Sequence, residues 1–411
     1  MELTDINLLE DTWADGVPHD QLAYLREHAP VFWHEQPAED GEGFWAVTKY
    51  EDIKTISHDW ETYSSELGGV FVKDATPEAL ATIRLTILAM DPPKHHRYRK
   101  LVSRGFTPRM IRSLHDAVAG RARSIVDEIC EKGEVDFVEE VAVEMPAQVI
   151  CDMLGVPAED RAQIVEWTNT MVGFDDPFWQ NTPEDGELAA AQIYAYCDEL
   201  VAARRTDPVD DILSVLVHAE VDGERLSTEE LNMFFVMLCV AGNETTRNLL
   251  THSVEVLDQY RDQRQELIDA HDDDQLWRTA TEEMLRWGSS IANFRRTTTR
   301  PTELRGVAIG EGQKVVTYYT SGNRDEDVFD DAATFDIRRD PNEHITFGAG
   351  GVHYCLGANL ARLEISEMMR EFVSRCPDYE LTAEPLRMRS DFIAGVNRLP
   401  IAFTPSARTR S

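Results

Sequence analysis

A long run of helical periodicity in the middle of the chain constrains the fold more than any other feature. Ser227 and Glu230 have the spacing of a capping box. An apolar stretch follows at 231–240, and the periodicity continues to about Leu267. We therefore predict a helix over Glu229–Arg264. A helix of this length crosses a whole domain, and a chain of 411 residues can bury the large core that such a helix requires.

The rest of the sequence alternates between helical and extended stretches. Apolar residues recur at helical spacing in 93–290 and 356–376, whereas about 1–75, 291–340 and 377–411 are rich in strand and turn patterns. No repeat or flexible linker divides the chain. We predict a mainly α fold in one domain, 1–411, with a large helical part and a smaller β-rich part. The clearest further helices are predicted at Met110–Cys130, Pro146–Met153, Gly186–Arg204 and Leu356–Cys376.

The composition excludes several classes of function. Acidic residues outnumber basic ones by 75 to 40, for a net charge of −35. Such a chain is a poor partner for nucleic acid or for an anionic membrane. No apolar run approaches the ~18 residues of a membrane span, and the N-terminus lacks the pattern of a secretory signal. The six cysteines form no CxxC pair, so we predict reduced thiols, a cytoplasmic location and no stable membrane insertion.

Polar residues interrupt the long helix near its centre. Gly242 weakens a helix, Glu244 is a carboxylate on an otherwise apolar stretch, and Thr245 and Thr246 add hydroxyl groups that compete for backbone carbonyls. One interpretation is a solvated turn or a helix end. The other is a kinked helix wall that presents an acid and an alcohol to a functional site.

A glycine-rich loop before the last long helix contains a single cysteine. Residues 347–357 read FGAGGVHYCLG, so Cys355 lies just before the helix predicted to begin at Leu356. A helix N-terminus stabilises a negatively charged sulfur. A thiolate at such a place suits a haem iron, whereas the alternative is an inert buried cysteine in a turn.

Five separated motifs, taken in order, resemble the cytochrome P450 family over nearly the whole chain. The first resembles the helix that binds the haem propionates, the second the oxygen-activating helix, the third the ExxR pair, the fourth the meander and the fifth the cysteine loop. They are DPPKHHRYR at 91–99, AGNETT at 241–246, EMLR at 283–286, FDIRR at 335–339 and the loop at 347–357.

This resemblance implies a cytochrome P450 fold with haem b between the long central helix and the cysteine-loop helix. Cys355 would bind the iron. The propionates and the rest of the cofactor would contact His95, Arg99, Ala241, Arg296, His353 and Gly357. Glu283, Arg286 and Arg339 would form a structural cluster of charges, because a buried Glu–Arg pair needs further partners.

The resemblance also implies a monooxygenase reaction. O2 must receive two protons before its O–O bond breaks, and Glu244 and Thr245 would deliver them. Because peroxide-driven relatives usually lack this pair, the electrons would come from NAD(P)H through a separate ferredoxin and ferredoxin reductase. Lys100, Arg104, Arg109 and Arg112 offer a basic docking face, although scattered solvated cations are an equal alternative.

The cysteine loop is most similar to those of bacterial P450s that hydroxylate sterols and methyl-branched lipids. It departs from the usual family pattern at Gly348, where phenylalanine is usual, and the chain departs again at Ser290 and Pro301. The substrate pocket would be lined by the stretches 67–88, 291–294 and 392–396 and by the central helix. Within them we predict apolar contacts from Val70, Phe71, Leu88, Met237, Ile291, Phe294 and Ile393, and hence a sterol, terpenoid or branched-lipid substrate.

Two other functions remain open from the sequence. A haem-binding sensor or carrier would need the cofactor without turnover, and the Glu244–Thr245 pair argues against it. A non-haem cysteine enzyme would need a histidine base beside Cys355, and His353 is too close in sequence to be assigned that role.

Overall fold

The computed structural model describes residues 1–37, 41–172, 182–221 and 223–409, and helices predominate in these segments. The α-helices are α1 (Glu10–Trp13), α2 (His19–His28), α3 (Tyr50–His58), α4 (Pro77–Ile83), α5 (Lys94–Val102), α6 (Pro108–Ser113), α7 (His115–Ile129), α8 (Glu144–Leu154), α9 (Arg161–Val172), α10 (Pro183–Thr206), α11 (Ile212–Val217), α12 (Thr228–Gln259), α13 (Arg261–Asp269), α14 (Asp274–Gly288), α15 (Tyr319–Gly322) and α16 (Ala358–Arg375). None of the described helices is long and apolar enough to cross a membrane.

The strands are short and fall mostly in the stretches that the sequence marks as extended. They are β1 (Val31–His34), β2 (Phe44–Val47), β3 (Tyr63–Ser64), β4 (Glu134–Asp136), β5 (Asn293–Thr298), β6 (Thr302–Leu304), β7 (Val307–Ile309), β8 (Lys314–Tyr318), β9 (Glu380–Leu381), β10 (Leu386–Arg387), β11 (Val396–Arg398) and β12 (Pro400–Ala402). β4 falls within the stretch predicted to be mostly helical, because Gly133 adopts φ +80° after α7 and the chain then pairs with β12.

Two compact units divide the chain, and the prediction of a single domain stays a prediction. The first unit comprises Met1–His96, Glu282–Cys355 and Arg387–Gly395. Its main sheet has the strand order β1-β2-β8-β5-β3, with β2 and β8 parallel. Two neighbouring side chains of β8 belong to different hydrophobic clusters. Val315 lies in the cluster that contains Ile53, and Val316 lies in the cluster that contains Phe44. Because alternate side chains of a strand face opposite sides, this sheet is buried on both faces.

The second unit comprises Arg97–Thr281, Leu356–Leu386 and Val396–Ser411. Helix α12 packs against α8, α10 and α16 at its centre. The predicted capping box is confirmed, since Ser227 Oγ accepts a hydrogen bond from Glu230 N at 3.1 Å and Glu230 Oε2 accepts one from Ser227 N at 2.8 Å. Gly242 has a packing role, because a Cβ atom there would lie 2.7 Å from Ile150 Cδ1 on α8.

Two predicted helices are shorter than the sequence suggests. The helix expected over Glu229–Arg264 ends at Gln259, where Tyr260 leaves the helical conformation (φ −106°, ψ 59°) and α13 begins. The helix expected over Met110–Cys130 is divided into α6 and α7 at Leu114. Both breaks are local turns without glycine or proline, so composition gives no sign of them.

Candidate active site

The cysteine loop is shaped by glycines that lie against the end of α3. Gly348, Gly350 and Gly351 all have positive φ, between +70° and +90°. A Cβ atom on Gly351 would lie 2.0 Å from Ser57 O, and one on Gly350 would lie 2.8 Å from His58 Cε1. No other residue type satisfies both the left-handed backbone and the close approach. The loop closes through a hydrogen bond from Cys355 N to Phe347 O at 2.9 Å.

Cys355 differs from the other cysteines in its exposure. It is exposed, whereas Cys130, Cys151, Cys197, Cys239 and Cys376 are buried, and all six are free thiols. Burial raises the pKa of Cys151 and of Cys376 to about 12, which keeps both as neutral thiols. Helix α16 has Gly357 at its N-cap and begins at Ala358, two residues later than the predicted start at Leu356. Cys355 is therefore the cysteine that an external metal ion can reach.

The predicted propionate-binding residues of the first unit include a pair of histidines in contact. The ring centroids of His95 and His353 lie 4.5 Å apart, and Ser65 Oγ lies 3.1 Å from His353 Nε2. Arg296 lies on β5, is 6% exposed, and donates from Nη1 to the carbonyl of Arg295 at 2.8 Å. Arg99 belongs to the second unit, where it is half-buried on α5.

The charge of Arg296 offers a test of whether these residues fit haem. Burial lowers the pKa of its guanidinium, and no described carboxylate forms an ion pair with it. A buried cation of this kind requires an anionic partner. The carboxylate groups of haem would supply that partner, so the site fits the cofactor that the cysteine loop suggests.

The centre of α12 is continuous helix, which excludes the interpretation as a turn or a helix end. Glu244 is 4% exposed, and its Oε1 atom accepts hydrogen bonds from Arg247 Nη2 and from Asn248 Nδ2, the latter at 2.9 Å. Thr245 Oγ1 donates to Ala241 O at 2.7 Å. This contact between the Thr245 hydroxyl group and the backbone lies within an unbroken helix.

Sequence reasoning missed the two residues that hold Glu244. Arg247 is 1% exposed and forms a buried ion pair with Glu244, three residues away. Asn248 also accepts a hydrogen bond from Val396 N at 3.0 Å through Oδ1. The spacings of three and four residues place all these side chains on one helix face, and that signal could have identified both partners.

A second buried acid, also missed, lies between α12 and α16. Glu364 is 2% exposed, its Oε2 atom accepts a hydrogen bond from Thr246 Oγ1 at 3.5 Å, and its Oε1 atom has no partner among the described residues. Burial raises the pKa of this carboxyl group to about 8, from an ordinary 4.5. Glu364 is thus protonated at neutral pH.

The titration of Glu364 predicts how stability depends on pH. Between pH 4.5 and about 8 the folded protein retains a proton that the unfolded chain has released, so the stabilisation is complete below pH 4.5 and is lost as the pH rises through 8. In this pH range the free energy of unfolding of the wild type should fall by up to about 1.4 kcal/mol per pH unit through Glu364. We expect Glu364→Gln to abolish this contribution. Thermal unfolding of the holoenzyme from pH 5 to 9 measures it, with Glu367→Gln on the same helix as control. Equal slopes in Glu364→Gln and the wild type would contradict the assignment.

An aromatic cluster brings together predicted pocket residues of the first unit. The ring of Phe392 lies 4.9 Å from that of Phe71 and 5.4 Å from that of Phe294, and Phe294 lies 6.0 Å from Tyr319. Ile291 and Ile393 face each other in an isolated β-bridge. Phe392 is not among the side chains predicted to line the pocket. Its ring connects Phe71 with Phe294.

The other predicted pocket residues are placed as follows. Val70 is buried and accepts a hydrogen bond from Arg295 N at 2.9 Å. Leu88 is half-buried in the 3₁₀ turn Ile87–Ala89. Met237 lies half-buried on α12 in the second unit.

The predicted cluster of Glu283, Arg286 and Arg339 is fully assembled inside the first unit. Arg286 donates to both carboxylate oxygens of Glu283, at 2.7 and 2.8 Å, and both side chains are fully buried. Arg339 Nε lies 3.2 Å from Glu283 Oε2, and Asn342 donates to the same oxygen at 2.9 Å. Both guanidinium groups contact the one carboxylate of Glu283, and backbone carbonyls accept their further hydrogen bonds, as a structural role requires.

Comparison with known proteins decides the family. The model of the family described as Cytochrome P450 matches residues 12–378. The chain belongs to the cytochrome P450 family. This P450 is 40% identical over 405 residues to a steroid C26-monooxygenase of Rhodococcus jostii, covering 96% of this chain and 83% of the relative. It is 43% identical over 403 residues to a methyl-branched lipid omega-hydroxylase of Mycobacterium tuberculosis, with coverages of 96% and 93%.

Solved structures agree with this assignment. A Mycobacterium marinum cytochrome P450 in complex with pseudoionone superposes with a TM-score of 0.90 at 37% identity, covering 97% of this chain and 98% of that one. A Bacillus megaterium P450 in complex with testosterone gives 0.82 at 30% identity, with coverages of 94% and 99%. The predicted fold class is confirmed. The protein is a P450 monooxygenase that uses haem, O2 and electrons from redox partners, and it acts on apolar substrates. A non-haem cysteine enzyme and a carrier without turnover are both set aside.

Proposed function

We propose that this P450 hydroxylates an unactivated C–H bond of a sterol or a methyl-branched lipid. The aromatic cluster of Phe71, Phe392 and Phe294 carries the proposal, because it supplies a rigid apolar wall for a bulky aliphatic ligand. The names of the two relatives, a steroid monooxygenase and a branched-lipid hydroxylase, support the same class. A terpenoid is the alternative, favoured by the Mycobacterium marinum structure with pseudoionone.

We assign the cofactor contacts residue by residue. Cys355 binds the haem iron through its exposed sulfur. His95, Arg99, Arg296 and His353 hold the two propionates, with Arg296 gaining the anionic partner that its buried charge requires. Ala241 and Gly357 contact the haem through their small side chain or bare backbone. A thiolate-bound haem supplies the electron density that favours cleavage of the O–O bond of dioxygen.

Glu244 and Thr245 deliver the protons in this proposal. The donors Arg247 and Asn248 both engage Oε1 of Glu244, so Oε2 is the atom that carries a proton inward. The Thr245 hydroxyl, whose own proton is held by Ala241 O, keeps its lone pairs for accepting a hydrogen bond from a neighbouring donor. The ion pair with Arg247 holds the Glu244 side chain in place.

A matched pair of ligands tests the substrate class. We expect phytanic acid, which is hexadecanoic acid carrying methyl branches, to bind at least about tenfold more tightly than hexadecanoic acid, since each buried methyl group contributes about 0.8 kcal/mol. The shift in haem spin state measures both affinities. Phe392→Ala should weaken the binding of phytanic acid, while Leu188→Ala, at an exposed leucine of α10, should not. The absence of any spin shift with phytanic acid, cholesterol and pseudoionone would overturn the proposal.

We further propose that electrons arrive from a ferredoxin, reduced by a separate reductase with NAD(P)H, in the cytoplasm. Arg104, Arg109 and Arg112 are exposed, and none forms an ion pair with a described residue. Arg109 and Arg112 lie on α6, which packs against α16, and Lys100 is also exposed nearby in sequence. In a chain of net charge −35, such a group of exposed cations attracts an acidic partner. The six free thiols favour the reducing cytoplasm.

Charge reversal tests the docking face. The double variant Arg109→Glu/Arg112→Glu should slow the first electron transfer from a reduced ferredoxin about tenfold at low salt, and raising the ionic strength should reduce the difference. Arg205→Glu, an exposed arginine on α10, should leave the rate unchanged. Stopped-flow absorbance under carbon monoxide gives the rates. Equal rates in the double variant and the wild type would exclude this face.

A further inference from the structure

Residues 65–76, between β3 and α4, form neither helix nor strand. They carry Val70 and Phe71, and the side chains of Leu67 and Phe71 are 48% and 40% exposed. A segment of this kind has few backbone hydrogen bonds to fix it. Its position therefore depends on side chains that reach it. Arg84, just after α4, donates to the carbonyls of Glu66 and Leu67, and further side chains come from the sheet.

Two buried cations hold this segment through Asp74. Arg295 Nη1 on β5 lies 2.6 Å from Asp74 Oδ1, and Lys314 Nζ on β8 lies 2.9 Å from Asp74 Oδ2. Each cation is only 5% exposed at its side chain. The same two residues also donate to the backbone of the segment, Arg295 to the carbonyls of Val70 and Phe71 and Lys314 to that of Val72.

Gly68 makes room for the guanidinium group of Arg295. A Cβ atom on Gly68 would lie 2.2 Å from Arg295 Nη2 and 2.6 Å from Thr297 Oγ1. The segment therefore lies directly against the buried cation, and an alanine at 68 would displace it.

Among Asp74, Arg295 and Lys314, the charges indicate that Asp74 fixes the position of the segment. Burial would raise the pKa of Asp74, but hydrogen bonds from Lys314 and Arg295 outweigh this effect and hold the pKa below its ordinary value. Asp74 is itself 44% exposed at its side chain, so it leaves for solvent at a lower cost than either cation. Without it, Arg295 and Lys314 would lose the carboxylate that both of them contact.

We propose that Asp74 is a positioning residue whose ion pairs with Arg295 and Lys314 form a latch that holds residues 67–74 in place and sets how fast ligands enter and leave the pocket. The latch fixes Phe71 against Phe392, and opening it withdraws Phe71 from the aromatic wall. The inference rests on the proposed function in taking that wall as the boundary of the substrate pocket.

Stopped-flow binding to the holoenzyme tests the latch with two probes. Phenylimidazole binds iron directly and reports access to the pocket whatever the natural substrate is, whereas phytanic acid reports the proposed substrate class. In Asp74→Asn we expect phenylimidazole to enter and leave about fivefold faster, and phytanic acid to dissociate about tenfold faster. Hydrogen exchange of residues 67–74 should rise, and the spectrum of the carbon monoxide complex should not change.

Three variants serve as controls. Asp74→Glu keeps the charge and should restore slow exchange. Asp327→Asn removes an exposed acid whose partner Lys49 retains Asp325, and it should behave as wild type. If Asp74→Asn does not yield a haem protein, Gly68→Ala displaces Arg295 without a change of charge and should accelerate both probes.

The outcomes separate the latch from the proposed function. Faster phenylimidazole exchange with no binding of phytanic acid would support the latch and reject the substrate class. Unchanged phenylimidazole rates and hydrogen exchange in a folded Asp74→Asn or Gly68→Ala protein would overturn the latch, whatever phytanic acid does.

Discussion

Replacing Glu244 with glutamine is expected to lower product formation by about 10²-fold, the usual contribution of a positioned acid–base group, while reduced cofactor is still consumed and peroxide accumulates. An amide cannot carry a proton from Oε2. Arg247 also loses its buried counter-ion, so the single variant should lose stability as well, by about 3 to 5 kcal/mol. Product, NAD(P)H and peroxide are measured together in a reconstituted assay with ferredoxin and reductase.

The double variant Glu244→Gln/Arg247→Met separates the two effects. It removes both buried charges, so its thermal stability should return toward that of the wild type while its yield of product per electron stays low. Asn248→Ala, which removes one hydrogen bond to Oε1, should have a smaller effect on coupling. If the double variant regains full coupling, Glu244 serves only as the counter-ion of Arg247 and the proposed proton route is wrong.

The site could be predicted from sequence wherever its parts are local. The capping box at Ser227, the glycines before Cys355 and the Glu283–Arg286 pair each depend on spacings of a few residues, and the structure shows the geometry that these spacings imply. The hydrogen bonds from Arg247 and Asn248 to Glu244 follow from the same helix periodicity. The sequence could therefore have predicted them as well.

Contacts between distant parts of the chain could not be predicted in this way. Glu364 meets Thr246 across 118 residues, and nothing near Glu364 in sequence marks it as buried. Arg295 meets Asp74 across 221 residues, because β5 and the segment after β3 are neighbours only in the folded sheet. The end of α12 at Gln259 likewise could not be predicted, because no glycine or proline marks it in the sequence.

The largest expected effect of all concerns Cys355. Replacing it with serine removes the exposed sulfur at the end of the glycine loop, and a hydroxyl group is a much weaker ligand for iron than a thiolate. We expect the Cys355→Ser protein to lose haem or to hold it without a thiolate ligand, with no monooxygenase activity. Cys376→Ala, at a buried thiol whose pKa is raised to about 12, should keep both.

The absorption spectrum of the reduced carbon monoxide complex tests the central claim, that Cys355 binds the iron as a thiolate. The wild type and Cys376→Ala should show a Soret band displaced to long wavelength, and Cys355→Ser should lack it. A wild-type complex with an imidazole-like Soret band, or a displaced band that persists in Cys355→Ser, would contradict the assignment of Cys355 and the mechanism that depends on it.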